Sequence, residues 1–174
     1  MCSSDLHSTL TINNQLQSAE GVAPIIRSIE NENRVAALTD LSEIYSDQLE
    51  NITRGLMIEE NSFVQIQDEV TAGTKDAEIR WNIPTLAAIQ KINNREIVLS
   101  KGGKKMRLRI LEPADAEFTV EPAIGKQKYD EGNPGMNLIY FRHHLKATEQ
   151  STIRVLFFGE NLNAKPVELK LKDW

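Results

Sequence analysis

Ala77-Glu78-Ile79-Arg80-Trp81-Asn82-Ile83 alternates strictly, with Ala77, Ile79, Trp81 and Ile83 on one side and Glu78, Arg80 and Asn82 on the other. A period of two marks a half-buried β-strand. Downstream, Leu86 to Ile92 reads as a second strand, ended by the turn signal Asn93-Asn94. Glu96 to Ser100 and Met106 to Leu111 flank Gly102-Gly103, a pair suited to a hairpin because both positions accept a positive φ. In the second arm Met106, Leu108 and Ile110 point one way, and Arg107 and Arg109 the other. Proline has no N–H for the ladder, so Glu112-Pro113 stops that arm, and Phe118 and Val120 open another. Together these form an antiparallel sheet with one face in a core.

The rest of the chain repeats the pattern. Leu10 and Ile12 alternate with Thr9 and Thr11, and Asn13-Asn14 turns the chain. Gly21 to Ile29 and Asn33 to Leu38 are further strands. Asp40-Leu41-Ser42-Glu43-Ile44-Tyr45 reads as one short helical turn that Asp40 can cap. Asn51 to Glu59 and Phe63 to Asp68 flank a turn at Asn61-Ser62. Leu138 to His143 and Ile153 to Phe158 are apolar on both faces, as expected of central strands. Pro166 to Trp174 closes the chain as a strand, with Val167, Leu169 and Leu171 inward. The loop Gly125 to Gly135 lacks any such pattern and is expected to be exposed and mobile. About eleven strands at this spacing predict an all-β antiparallel sandwich. Its expected core includes Phe63, Ile66, Ile79, Trp81, Leu108, Ile110, Val155 and Phe157. Phe63 and Ile66 lie three apart, so a bulge or burial on both faces is required there.

Composition narrows the function. A chain of 174 residues suits one domain, and a net charge of −5 argues against a nucleic-acid binder. No apolar run is long enough to span a membrane. One cysteine excludes an intrachain disulfide framework and a thiolate metal cluster. Residues 1–6, Met-Cys-Ser-Ser-Asp-Leu, form no signal peptide. Their Cys-Ser-Ser-Asp-Leu also translates the end of a common sequencing adapter, so we treat them as an artefact and residues 7–174 as the domain.

No phosphate loop, His-Glu-x-x-His or nucleophile elbow is present. Asp68-Glu69 reads as a solvated strand end. His143 and His144 are adjacent and point to opposite faces of a strand. Lys101, Lys104, Lys105, Arg107 and Arg109 form a basic edge that can meet an acidic polysaccharide, although a solvated hairpin tip is the plainer reading. Asn51-Ile52-Thr53 matches a glycosylation acceptor by coincidence.

Several segments, in order, resemble the C-terminal half of heparinase II/III-like polysaccharide lyases. His7-Ser8-Thr9-Leu10-Thr11-Ile12-Asn13-Asn14 is similar to the family's His-Asn-Thr-Leu-x-x-Asp-Gly, and Asp40-Leu41-x-x-x-Tyr45 to its Asp-x-Thr-x-x-Tyr. Arg54 with Phe63 to Val70 resembles an Arg…Val-x-Asp strand pair. Trp81-Asn82-Ile83-Pro84-Thr85 resembles Trp-x-x-His-Thr, with Pro84 in place of histidine. Lys101 through Pro113 completes the series.

The resemblance implies a C-terminal β-sandwich whose parent also has an N-terminal α/α toroid and eliminates across a uronic acid in acidic polysaccharides. Loss of the weakly acidic C5 proton requires neutralising the substrate carboxylate and stabilising the developing enolate, with tyrosine and histidine as base and acid. In the family these groups lie upstream of the position of His7. The resemblance also makes His7 a ligand of a structural zinc in the parent, beside an upstream histidine and aspartate. One imidazole is not a zinc site, so this chain is expected to bind none. No nucleic-acid or membrane partner is expected, and the parent is expected to be periplasmic or secreted. Two readings follow: an inactive portion of a lyase, or a stand-alone sandwich that binds carbohydrate or protein.

Overall fold

The computed structural model describes residues 7–59, 62–124, 133–160, 162 and 164–174. Among them are twelve strands, two 3-10 turns and no α-helix. The strands are β1 (Leu10–Ile12), β2 (Ile25–Glu30), β3 (Arg34–Asp40), β4 (Leu49–Glu59), β5 (Phe63–Ala72) and β6 (Ala77–Thr85). They continue as β7 (Ala88–Asn93), β8 (Glu96–Lys101), β9 (Lys104–Glu112), β10 (Thr119–Pro122), β11 (Asn137–Leu145) and β12 (Gln150–Gly159). A small sheet runs β1-β6-β11-β10 and a large one β2-β3-β4-β5-β12-β9-β8-β7. Every pairing is antiparallel. The antiparallel sandwich is thus as expected, with one strand more than the rough sequence count.

The core lies between the sheets. Leu10, Ile79, Trp81, Ile139 and Phe141 from the small sheet meet Ile52, Val70, Ile97, Leu108, Ile110 and Val155 from the large one. Trp81 and Phe141 are register partners and stack at 5.4 Å, and Phe118 meets Phe141 edge-on at 5.9 Å. Gly102 and Gly103 have φ of +57° and +74°, and Lys101 pairs with Lys104 across the two-residue turn. Both values lie where an L side chain is disfavoured, which is why this hairpin needs the glycine pair.

β5 resolves the Phe63/Ile66 conflict without a bulge. Its register with β12 is unbroken from Phe63 to Thr71. Ile66 packs against the inter-sheet core, whereas Phe63 joins a second cluster with Met57, Leu156, Phe158, Leu171 and Trp174 on the outer face. Burial on both faces is therefore the answer. The outer face is covered by residues 164–174.

That closing segment is not the strand its alternation predicts. It runs without strand pairing into a 3-10 turn, Leu171–Asp173. Leu171 is buried, but Leu169 is exposed. The backbone finds side-chain partners instead. Gln65 Nε2 donates to Val167 O (2.8 Å), and Val167 N to Gln65 Oε1 (2.9 Å). Gln67 Nε2 donates to Leu169 O (3.0 Å), and Leu171 N to Glu69 Oε1 (2.7 Å). Residues 65, 67 and 69 share one face of β5, so their spacing matches the alternate residues of an extended chain lying across them.

The outer face of β6 differs from its expected solvation. Arg80 and Asn82 are buried. Asn82 Nδ2 donates to Thr9 O (3.1 Å) and Thr11 Oγ1 (3.0 Å), and the Arg80 guanidinium lies 5.4 Å from the centre of the Tyr140 ring. Bulky and polar neighbours on β1 and β11 cover them. β11 is covered on both faces at Leu138 and Ile139, while Arg142 and His144 are exposed. Residues 125–132 of the expected mobile loop, and residues 1–6, lie outside the described residues.

Candidate functional site

Four of the five segments that resemble lyase motifs, those holding Leu10, Tyr45, Arg54 with Asp68, and Trp81, converge on the point where the chain enters β1. β4 and β5 place Arg54 directly opposite Asp68, so both side chains share the face toward the small sheet. Arg54 Nε donates to Asp68 Oδ1 (2.6 Å) and Nη2 to Oδ2 (2.9 Å), a two-pronged pair around a fully buried carboxylate. Burial opposes the Arg54 charge, but the Asp68 carboxylate outweighs it and makes the guanidinium a still firmer base. Arg54 Nη1 also reaches Ser8 O at 3.5 Å.

From the 3-10 turn Glu43–Tyr45, the Tyr45 hydroxyl donates to Leu10 O (2.9 Å) and contacts Gln17 Oε1 (3.3 Å). Asp40 is not the cap of that turn, whose N-cap is Ser42 without a side-chain cap bond; its Oδ1 instead accepts the Ser42 N–H at the end of β3 (2.9 Å), and its bonds to Ser42 hold its carboxyl below the usual range. Leu10 in turn pairs with Trp81. Arg54 and Tyr45 therefore grip the backbone of residues 8–10 from below.

This cluster is suited to holding β1 rather than to proton transfer. Burial pushes the Tyr45 phenol up to about 12, the wrong direction for a base working near neutrality. His7 sits exposed at the entry to β1. Among the described residues no group of three or more histidine, cysteine, aspartate or glutamate side chains is placed to hold a metal ion. The expectation that Asp68-Glu69 is a solvated strand end is wrong. Asp68 is buried against Arg54, and Glu69 accepts from Gln67 Nε2 (3.2 Å) and Leu171 N. Both face packed layers because β5 is covered on either side.

The basic edge is mostly paired. Arg107 and Arg109 both clasp Glu96, at 2.5 and 2.7 Å, and Lys105 meets Glu160 at 3.2 Å. Burial works against the Glu96 charge, but the two guanidinium groups outweigh it and lower the carboxyl. His143 and His144 do separate. His143 Nε2 bonds with Ser151 Oγ (2.8 Å), while exposed His144 lies 3.5 Å from Glu78. Asn51 is exposed and donates to Ser42 Oγ (3.1 Å).

Sequence reasoning missed two features. One is the glutamine ladder, whose signal was the spacing of Gln65 and Gln67 on a single face. The other is an open apolar groove of about 600 Å³ lined by Ile58, Val64, Thr85, Leu99, Met106 and Phe157, with Lys101, Lys104 and Lys105 at its rim.

No family model and no curated protein matches the sequence. Solved structures do match in shape. A heparinase III crystal structure superposes with a TM-score of 0.70 at 14% identity, over 91% of this chain and 24% of that one. Heparan sulfate lyase HepC from Pedobacter heparinus gives 0.67 at 14% identity, over 92% and 25%. A mutant of that lyase gives 0.69 at 13% identity, over 98% and 27%. The chain thus spans about a quarter of the length of these structures and shares the β-sandwich fold of the part it overlays.

Proposed function

We propose that this chain is the C-terminal β-sandwich portion of a heparinase II/III-like polysaccharide lyase, acting there as scaffold for a neighbouring α/α toroid. The observation that carries the reading is the convergence of the motif residues. Tyr45, Arg54, Asp68 and Trp81, chosen by their resemblance to lyase segments, meet around the entry to β1. Agreement in shape with heparinase III structures supports it independently.

In this reading the parent acts on a uronic-acid-containing polysaccharide and is exported to the periplasm or secreted. Base, acid and carboxylate-neutralising groups are supplied by polypeptide outside these 174 residues. His7 is a ligand of a structural zinc whose other ligands also come from outside. One imidazole does not make a zinc site, since three or four ligands are normal.

The test is absorbance of unsaturated uronate on incubation with heparan sulfate, chondroitin sulfate, hyaluronan and alginate. The 174-residue chain is expected to be inert and the longer gene product active. Enzyme-like turnover by the short chain overturns the scaffold role, and an inert longer product overturns the lyase reading. His7→Ala in the longer product is expected to lower both zinc content and Tm. Equal zinc in the two removes His7 from the site.

A further inference from the structure

One corner of the large sheet carries an apolar strip that the small sheet leaves open. Val35 pairs with Ile58, Ile58 with Val64, and Val64 with Phe157, so the four share one face across β3, β4, β5 and β12. In the neighbouring row Leu56 lies between Ala37 and Ile66. Alternation along β4 puts Leu56 and Ile58 on the face of Arg54, the face toward the small sheet. Yet Val35, Leu56 and Ile58 are 51%, 42% and 47% exposed. A sandwich face normally buries such a row, and contiguous exposed apolar surface marks an interaction site.

The chain's own path indicates what covers it. β1 runs antiparallel to β6, with Leu10 opposite Trp81 and Ile12 opposite Ile79. Followed backwards, it passes Asn82, whose Nδ2 holds Thr9 O, and Ser8, whose carbonyl is held by Arg54 one row below Leu56. Its continuation points along β6 toward Thr85, which lines the groove with Ile58 and Val64.

We propose that this strip is the docking surface for an extended strand from the polypeptide preceding His7 in a longer chain. Its alternate side chains insert between Leu56, Ile58 and Val64. The lining offers methyl, thioether and phenyl groups with few hydrogen-bonding partners, which suits an apolar side-chain row and not a hydroxyl-rich sugar. Exposed Lys101 and Lys104 at the far rim favour an acidic residue at the distal end of the strand. The inference rests on the lyase reading only for the source of this strand.

Thiol accessibility tests it. In a Cys2→Ser background, Ile58→Cys is labelled with N-ethylmaleimide in the 174-residue chain and in the longer gene product, with Lys170→Cys as the exposed control. Ile58→Cys is expected to react at the control rate in the short chain and about 100-fold more slowly in the longer one, through rare local opening. Leu56→Cys gives a second reporter should the first variant fail to fold. Equal labelling in both proteins overturns the proposal, as does a reading frame with no polypeptide before His7. Protection in the short chain that disappears on dilution assigns the strip to a second copy, and overturns it too. Lyase activity of the longer product is read separately. Protection without activity sinks only the lyase reading, and activity without protection sinks only the docking strand.

Discussion

Asp68→Asn is the sharpest probe of the Arg54–Asp68 pair. The substitution keeps the shape and one acceptor but removes the charge, leaving the Arg54 guanidinium facing a neutral amide. Asp68 has no exposed side-chain surface, and Arg54 is only 20% exposed. Removing one partner of a buried pair costs about 3–5 kcal/mol, and the residual exposure of Arg54 argues for the lower end, about 3 kcal/mol. For a domain of this size that is a fall in Tm of roughly 6–12 °C. Urea unfolding at pH 7 measures it directly. Arg54→Met with Asp68→Leu, which removes both charges, should recover most of the loss because neither ion is then stranded. Hydrogen exchange supplies a local readout, since Arg54 holds Ser8 O, and the β1 amides should exchange faster in Asp68→Asn. A loss within about 1 kcal/mol of zero, or a double variant less stable than both single ones, would refute the assignment of this pair as the anchor of β1.

Gly55→Ala should displace the closing segment, because a Cβ there falls 2.3 Å from Leu171 Cδ2 and 2.8 Å from Trp174 Cζ3. A loss of about 1–3 kcal/mol is expected, with a red shift of Trp174 emission in a Trp81→Phe background; unchanged emission contradicts the packing. Burial makes His143 less basic than free histidine, against the smaller opposing pull of Asp115 and Glu149. Unfolding therefore takes up a proton once the pH falls below about 6.5, and this stability declines from there through the lower folded value, with no effect above. His143→Gln, which can still reach Ser151, should flatten the Tm-versus-pH slope in that window; parallel slopes exclude His143 as its source.

Ala77 to Ile83 and Met106 to Leu111 announce their strands by alternation, and both hold, although the polar side of the first is itself covered at Arg80 and Asn82. The same rule failed at residues 166–174, where Val167, Leu169 and Leu171 alternate as in a strand but pair with side chains instead of a ladder. Alternation does not report what satisfies the backbone, and at exposed Leu169 it misjudges coverage as well. A side-chain amide suits water as well as a buried carbonyl, so Gln65 and Gln67 do not by themselves announce the segment they receive.

The candidate cluster turned on a single residue of register. A two-residue turn at Asn61-Ser62 would set Arg54 opposite Glu69 and send Asp68 to the other face. The structure pairs Glu59 with Phe63, which shifts the ladder by one and sets Arg54 opposite Asp68. That shift also decides which side chains of β5 serve which layer. With Asp68 turned toward the small sheet, it secures the entry of β1. With Gln65, Gln67 and Glu69 turned away, they receive the closing segment. β5 thus fastens the first described strand on one face and the last described segment on the other. The charge pair accordingly secures the position of the chain beside His7.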